Sequence, residues 1–430
     1  MSDVMKRKND EKWERLFEKY NILEQINTTG DFLISANQIR EFREPRLMTK
    51  FDHTVNLPKV FVDHQLAILP VTRGDYKISH FDAYHKLEGC GSSVKHMPLP
   101  SYIQSLDANN ISSEAIALNC ALVSGIVADF LDDEDLVPTV SGRMSSGTFS
   151  YSINLKSKRP YRVSVNNSQI EIDGAYEGIR GLALVEAKRD LSEDFLVRQL
   201  YYPYRIWQER ITKNVRPLFL VYSNGIYHLY EYMFQELNNY NSLVIVKQKN
   251  YSIEDTAITV ADIQAVLATT GVVVEPRIPF PQADSFERVI NLCELLSGQE
   301  LSQDDVTEQY AFDARQTNYY TDAARYLGLV EKEHDENNVP IYSLSTSGKR
   351  ILKQGYKQRQ LAYCKIILSH KAFADTLRKC LNSGNVPSKA EIVQIMKDSN
   401  LYNVQSESTF GRRSSTIKGW INWILGLINE

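Results

Sequence analysis

Asp173, Glu186 and Lys188 stand in one short stretch, QIEIDGAYEGIRGLALVEAKR, residues 169–189. In residues 168–173, Ile170 and Ile172 alternate with Gln169, Glu171 and Asp173, the period-2 pattern of a half-buried strand. Gly174, Gly178 and Gly181 then predict a turn. Residues 182–185 are a continuous apolar run, as in a buried strand, and lead into Glu186-Ala187-Lys188. The period of two puts Glu186 and Lys188 on one face and Ala187 on the other. If the two strands are neighbours, Asp173 reaches the face of Glu186 and Lys188. Two such carboxylates repel unless a cation lies between them. Mg²⁺ suits them, because it takes oxygen ligands and is held through one or two carboxylates plus phosphate oxygens. Lys188 then orients or helps deprotonate an attacking water, or neutralises charge on a phosphate. Glu171, two residues from Asp173 on the same face, is a rival ligand.

Asp173, twelve residues, then Glu186-Ala187-Lys188 resembles the PD-(D/E)xK nuclease motif. Ile172 stands where that family's nominal proline falls. The resemblance implies that Asp173 and Glu186 bind the metal, with the Ala187 carbonyl as a further ligand, and that Lys188 assists the water. It also implies that the helix after the ExK strand lends a polar residue, for which Gln199 and Arg198 are the candidates. The fold implied is α/β: a PD-(D/E)xK restriction-endonuclease-like core, a mixed sheet flanked by helices, over residues 113–275.

The elements that must position these residues are legible around them. Ser113 caps a helix over residues 113–130, apolar over much of its circumference and therefore buried. Gly142, Ser145, Ser146 and Gly147 predict a flexible loop whose Arg143 lies over a phosphate backbone. Residues 148–155 predict a strand, and residues 161–165 and 168–173 a hairpin turning at Asn166-Asn167. Residues 193–210 predict a helix that Pro203 kinks or splits. Ser223-Asn224-Gly225 marks a hairpin between strands over 217–222 and 226–234. A short helix over 259–267 follows.

Residues 1–112 read as an N-terminal α+β module. Its helix over 10–20 carries Trp13, Leu16, Phe17 and Tyr20, and Ser35 caps a second helix bearing Ile39 and Phe42. Residues 44–58 read as a loop with Arg46, Lys50 and His53, and residues 60–71 and 76–81 as strands around Arg73-Gly74-Asp75. REPRLMTKFD followed by LAILPVTRGDY resembles the front part of certain type II restriction endonucleases, which implies DNA recognition through Arg46 and Lys50.

Pro276, Pro279 and Pro281 predict a stiff linker with few contacts across it, so that a chain ending near Pro281 keeps its fold. Residues 284–353 give helices over 285–296 and 314–327, a capped helix after Ser302, then strand, wing, strand and closing helix. ARYLGLVEK and IYSLSTSGKRIL resemble bacterial winged-helix modules. That resemblance places Arg315, Gln316, Asn318 and Tyr319 at the major groove, although the wing carries Glu331, Glu333, Asp335 and Glu336, which repel phosphate. Residues 356–430 form a basic helical, helix-turn-helix-like module. Ile417, Trp420, Ile421 and Ile424 make its core stripe, with Thr409, Arg412, Arg413, Ser415, Thr416 and Lys418 off it as a cationic recognition surface.

Composition bounds the function. The 430 residues are 43% hydrophobic and 24% charged, as in globular proteins of several domains. No apolar run is long enough for a membrane span, and the charged N-terminus has no signal core, so a cytoplasmic protein is expected. Five scattered cysteines form no CxxC pair. The net charge is −4, yet residues 355–430 hold eleven Lys/Arg against five Asp/Glu, a localised footprint for a polyanion. Ser347-Gly348-Lys349-Arg350 lacks the upstream glycine and the Ser/Thr of a P-loop, which argues against a motor-driven restriction system. The reading is a Mg²⁺-dependent, site-specific double-stranded DNA endonuclease like a type II restriction enzyme. It acts as a homodimer on a palindromic target, with a cognate DNA methyltransferase as a separate protein. The alternatives are a non-catalytic winged-helix DNA-binding regulator and a repair or structure-selective nuclease of the same chemistry.

Overall fold

The computed structural model describes residues 8–89, 93–310, 312 and 314–428; Cys90 lies outside them. Its N-terminal unit holds helices α1 (Lys8–Lys19) and α2 (Ile22–Thr29), strand β1 (Phe32–Ser35), helices α3 (Ala36–Arg40), α4 (Pro45–Thr49) and α5 (Lys59–Asp63), and strands β2 (Ala67–Pro70) and β3 (Asp75–Ser79). The sheet order is β1-β3-β2. Ser35 caps α3 with a full capping box. Trp13, Phe17, Met48, Phe61 and Ile78 share one core, and the Trp13 indole N–H donates to the Met48 carbonyl at 2.9 Å. The strand expected over 60–71 is therefore corrected. Its first half turns into α5, because Phe61 must seat edge-on against Trp13 and Phe17, and such packing overrides β-propensity. The expected loop over 44–58 likewise contains α4.

The central sheet is mixed, with the order β5-β14-β13-β12-β10-β9-β6. In chain order, β4 (Tyr84–Lys86) and β5 (Val94–His96) precede helices α6 (Glu114–Val123) and α7 (Ile126–Leu131). Strands β6 (Val137–Ser145), β7 (Thr148–Asn154), β8 (Pro160–Asn166), β9 (Gln169–Glu177), β10 (Gly181–Lys188) and β11 (Asp194–Leu196) follow. Helix α8 (Arg198–Arg210), strands β12 (Asn214–Ser223), β13 (Ile226–Phe234) and β14 (Leu243–Ser252), and helix α9 (Val260–Thr269) complete this part. β10 pairs in parallel with β12 and antiparallel with β9. Ala183, Val185 and Ala187 pack under α6 and α7, while Leu182 and Leu184 face α8. The continuous apolar run expected of a buried strand is thus found with both faces buried, one under each helical layer. The Asn224-Gly225 hairpin is present, with φ of 52° and 80°, the doubly left-handed turn that such a hairpin needs.

Several local expectations are overturned here. Residues 142–145 are no loop but the end of edge strand β6, where Gly142 (φ 90°) sits at an irregularity and Arg143 lies across from Glu171. Strand β8 pairs with β7, not with β9; β9 is instead held between β6 and β10, because its apolar residues are needed in the central sheet. β9 also runs through Gly174. A side chain there would meet Leu118 at 3.3 Å, so the glycine is used for close helix approach rather than for a turn. The helix expected over 113–130 breaks at Gly125 (φ 79°) into α6 and α7. Residues 194–196 are strand, and α8 then continues unbroken through Pro203.

The C-terminal part comprises α10 (Phe286–Leu295), β15 (Leu301–Ser302), α11 (Gln303–Gln309), α12 (Ala314–Tyr326), β16 (Val330–His334), β17 (Pro340–Leu344) and α13 (Thr346–Leu352). Helices α14 (Tyr356–Leu368), α15 (Lys371–Ser383), α16 (Lys389–Lys397) and α17 (Glu407–Gly426) end it. One hydrophobic core runs through all of it and includes Ile226, Ile258, Ile263 and Leu267 of the preceding part. The linker expectation is corrected accordingly. Phe280 and Ala283 are buried, Arg413 donates to the Phe280 carbonyl, and the Trp420 indole donates to the Ala283 carbonyl at 2.7 Å. The Glu294 carboxylate accepts from the Ser223 hydroxyl and the Asn224 amide, both at 2.8 Å. The Asn224 and Gln360 side chains exchange a pair of amide hydrogen bonds. Cys120, Cys293, Cys364 and Cys380 are free and buried. Among the described residues no helix is long and apolar enough to cross a membrane.

A chain ending at Pro281 would uncover Ile226, Ile258, Ile263 and Leu267. Full exposure costs roughly 1.5–3 kcal/mol per side chain, a sum comparable to the stability of a whole domain. We expect that chain to aggregate or to melt without cooperativity in size-exclusion chromatography and calorimetry. A monodisperse, cooperatively melting product would show that the interface is dispensable.

Candidate active site

Antiparallel pairing aligns Val185 with Gly174, so Glu186 stands opposite Asp173 on the face turned to α8. The ladder between β9 and β10 ends there. The Ala187 amide donates instead to Oδ2 of Asp173 at 2.8 Å. Because N–H and C=O of one strand residue point to the same side, the Ala187 carbonyl also faces this opening. Oε1 of Glu186 accepts from the Lys188 ammonium and from the Gln199 side-chain amide, each at 2.6 Å. Gln199 lies in the first turn of α8, and this contact ties the helix to the strand end. Its own Oε1 is buried and has no partner among the described residues.

The electrostatics follow from burial. Glu186 is 8% exposed, and burial pushes its carboxyl up to about 7, with Lys188 opposing and Asp173 adding. Burial raises Asp173 as well, against the pull of the Ala187 amide. For Lys188, 11% exposed, burial works against the charge. The carboxylates of Glu186, Asp52 and Asp190 outweigh it and hold the ammonium well above the ordinary lysine range. Asp52 stands 3.7 Å from the Lys188 nitrogen. Burial would raise Asp52, yet Lys188, Lys50, His53 and Arg198 together keep it below the ordinary carboxylate range.

Asp52 comes from the N-terminal unit, and a latch brings it in. The Asp52 carbonyl accepts from the Leu196 amide at 2.9 Å, and the Phe51 carbonyl from the Tyr84 hydroxyl at 2.9 Å. The Thr54 amide donates to Asp194 at 3.0 Å. His53 is buried, with Nε2 3.1 Å from an Asp190 oxygen and Nδ1 against the Asp194 carbonyl. Both ring nitrogens thus face acceptors. Burial lowers the His53 pKa, but Asp190 and the Asp194 carbonyl more than reverse it, so the value lies above the ordinary one.

The acidic site opens into a cleft of about 550 Å³ between the N-terminal unit and the central sheet. Arg40, Arg46, Lys50 and Arg73 line one wall and Arg143 and Arg198 the other, with Asp52, Glu114, Glu171, Asp173, Glu186 and Lys188 between them. The structure therefore gathers Asp173, Glu186, Ala187, Lys188, Gln199, Glu171, Arg46, Lys50 and Arg143 in one place. Glu171 pairs with Arg143, 3.4 Å away. Arg315, Gln316 and Asn318 on α12, and Arg412, Arg413 and Lys418 on α17, lie outside this cleft. The Arg315 guanidinium donates to the Tyr319 hydroxyl at 2.7 Å. On α17, Arg412 and Lys418 are exposed. Arg413 is partly spent on the Phe280 carbonyl, and Thr416, expected on the recognition surface, is buried and accepts from the Ala283 amide. Burial lowers Arg413, Arg412 adds, and Tyr319 and Asp322 oppose, so the basic end of α17 stands within electrostatic reach of α12.

Sequence reading missed Asp52 and Glu114. Asp52 sits in a stretch read as a loop, and Glu114 looks like an ordinary first-turn helix acid after the Ser113 cap. Burial raises Glu114, Lys188 opposes, and Asp173 and Asp190 add.

Among the described residues there is no group of three His, Cys, Asp or Glu arranged to hold a metal. Two carboxylates and a main-chain carbonyl are the donor set. Oδ1 of Asp173 and Oε2 of Glu186 take no hydrogen bond among the described residues. That set fits Mg²⁺, which keeps several waters, and does not fit a closed structural zinc site.

Three protein families match the chain: Domain of unknown function (DUF6996) over residues 10–78, Domain of unknown function (DUF6997) over residues 79–252, and Domain of unknown function (DUF7226) over residues 288–429. No curated protein and no solved structure matches it. The first match coincides with the N-terminal unit and the second with the central sheet, so the site draws on both.

The His53 latch makes a pH prediction. A histidine raised by folding contributes stability that is fully present below its ordinary value of 6.5 and is lost as pH rises through the folded value. The melting temperature of wild type above that of His53→Gln should be largest near pH 6 and should narrow steadily above pH 7. A gap that widens with pH would mean that the imidazole is held neutral.

Proposed function

We propose that the chain is a Mg²⁺-dependent endonuclease of double-stranded DNA, with a PD-(D/E)xK core in its central sheet. The observation that carries the reading is the convergence of Asp173 and Glu186 on adjoining strand ends, each with an open oxygen, beside Lys188 and inside a cleft walled by arginines and lysine. In this reading Asp173, Glu186 and the Ala187 carbonyl hold the ion. When bound, Mg²⁺ supplies a Lewis acid for the phosphoryl oxygens and lowers the pKa of a coordinated water. Lys188, kept protonated by its carboxylates, orients that water or offsets phosphate charge. Gln199 fixes the Glu186 carboxylate, as partners of metal ligands do. Arg46, Lys50, Arg73 and Arg143 grip phosphates and set the register of the strand.

The order α10, β15, α11, α12, β16, β17, α13 supports reading residues 284–353 as a winged helix, with α12 as the element offered to the major groove. Arg412 and Lys418 beside it extend a second basic surface. Cutting both strands takes two sites, so the reading carries a homodimer. If the target is a fixed palindrome, it also carries a separate DNA methyltransferase.

Asp173→Ala and Glu186→Ala should each abolish cleavage of supercoiled plasmid in Mg²⁺, with DNA retention in gel shift preserved. Glu171→Ala should cut near the wild-type rate, and EDTA should stop all cleavage. Lys188→Met is expected to lower single-turnover cleavage by roughly two to four orders of magnitude, the range of a lost acid–base or electrostatic group. Wild-type protein that binds plasmid but never cuts it with Mg²⁺ would favour the regulator. Smeared rather than banded phage DNA would point to a repair or structure-selective enzyme.

The cationic walls give a separate expectation. Arg46→Glu with Arg143→Glu should weaken DNA binding and flatten its dependence on salt, because fewer counterions are released. Fluorescence anisotropy across a salt series measures this, and an unchanged slope would remove the cleft from the binding path.

A further inference from the structure

The Lys188 ammonium stands between two carboxylates, at 2.6 Å from Glu186 and 3.7 Å from Asp52. Glu186 belongs to the same strand; Asp52 belongs to the N-terminal unit. The segment carrying Asp52 is not draped loosely over the site. Main-chain bonds from Phe51, Asp52 and Thr54, and both nitrogens of His53, fasten it to Tyr84, Asp190, Asp194 and Leu196. Asp52 is 16% exposed; Lys50 stands 3.8 Å from it, and His53 and Arg198 are further cationic neighbours. We infer that Asp52 is a positioning residue for Lys188, so that the catalytic centre is composite and complete only when the N-terminal unit is seated.

The inference rests on the nuclease reading of the site, and the reason lies in how Glu186 must divide its charge. A carboxylate that ligates a cation has less negative charge to offer a neighbouring ammonium. With Glu186 so engaged, Lys188 keeps its place only through a second anion. Asp190 contributes charge but is hydrogen-bonded to His53, and of the carboxylates other than Glu186, Asp52 alone among the described residues stands within 4 Å of the ammonium. A separate consequence follows. Arg46 and Lys50 lie on the same short segment as Asp52 and line the cleft, so whatever shifts them on DNA shifts the partner of Lys188.

The test is a double-mutant cycle of Asp52→Asn and Lys188→Met in the full chain. Single-turnover cleavage of supercoiled plasmid is measured at saturating Mg²⁺, beside melting curves in EDTA. Asp52→Asn alone is expected to slow cleavage by roughly 10–100-fold, the usual loss for a residue that orients a site group, with gel-shift affinity unchanged. In the Lys188→Met background it should slow cleavage no further, because the group it positions is gone. The EDTA melting temperatures should close the same way, with Asp52→Asn costing less once Lys188 is Met. Additive losses in either cycle, or wild-type cleavage by Asp52→Asn, would overturn the inference. A rate restored merely by raising Mg²⁺ would overturn it too, since that marks a metal ligand. If Asp52→Asn melts below the assay temperature, Asp52→Glu, which keeps the charge but displaces it by a methylene, takes its place in both cycles. Wild-type protein that fails to cut would remove the nuclease reading, while the EDTA cycle would still decide whether Asp52 and Lys188 are coupled.

Discussion

The burial of one ammonium group organises this molecule. Lys188 is almost fully enclosed at the end of a strand, and a lone buried cation is too costly to keep charged. Three carboxylates from separate places compensate it: Glu186 on its own strand, Asp190 just beyond, and Asp52 from the N-terminal unit. Each must then be held in turn. Glu186 is gripped by Gln199, Asp190 by His53, and Asp52 by the main-chain bonds around it. A buried charge network of this kind is weak evidence for stability, but it makes geometry specific, because removing one partner leaves another uncompensated.

The sheet explains why such a group can sit there at all. β10 buries its odd-numbered residues under α6 and α7 and its even-numbered ones under α8. Only at its C-terminal end does the even face escape α8 and meet the cleft. Ending the β9–β10 ladder after Val185 frees the Ala187 amide for Asp173. The same parting of strands that costs a ladder bond leaves Asp173 and Glu186 each with an oxygen that takes no hydrogen bond among the described residues.

Packing between the parts of the chain is closer than the proline-rich stretch suggests. The hairpin turn at Asn224-Gly225 is capped by Glu294 and Gln360 from α10 and α14, and α9 contributes to the C-terminal core. The basic residues of α12 and α17 are therefore carried at a fixed position relative to the acidic site. Two groups of basic residues result, one along the walls of the cleft and one, Arg412 and Lys418, exposed on α17.

Local physics made much of this legible from the amino-acid sequence alone. The alternation of Ile170 and Ile172, the apolar run before Glu186, the Asn224-Gly225 turn and the caps at Ser35, Ser113 and Ser302 all act within a few residues. The side-by-side placement of Asp173, Glu186 and Lys188 also follows from strand periodicity once β9 and β10 are neighbours. What only the tertiary structure decided depends on residues far apart in the chain. β8 chose β7 over β9, residues 59–63 became helix to seat Phe61 against Trp13, and Phe280 turned a linker into an interface. Asp52 and Glu114 have nothing in their neighbourhoods to distinguish them from surface acids. Their place in the site is set by long-range packing, because a carboxylate's role depends on the charge a few ångströms away and not on the residues beside it in sequence.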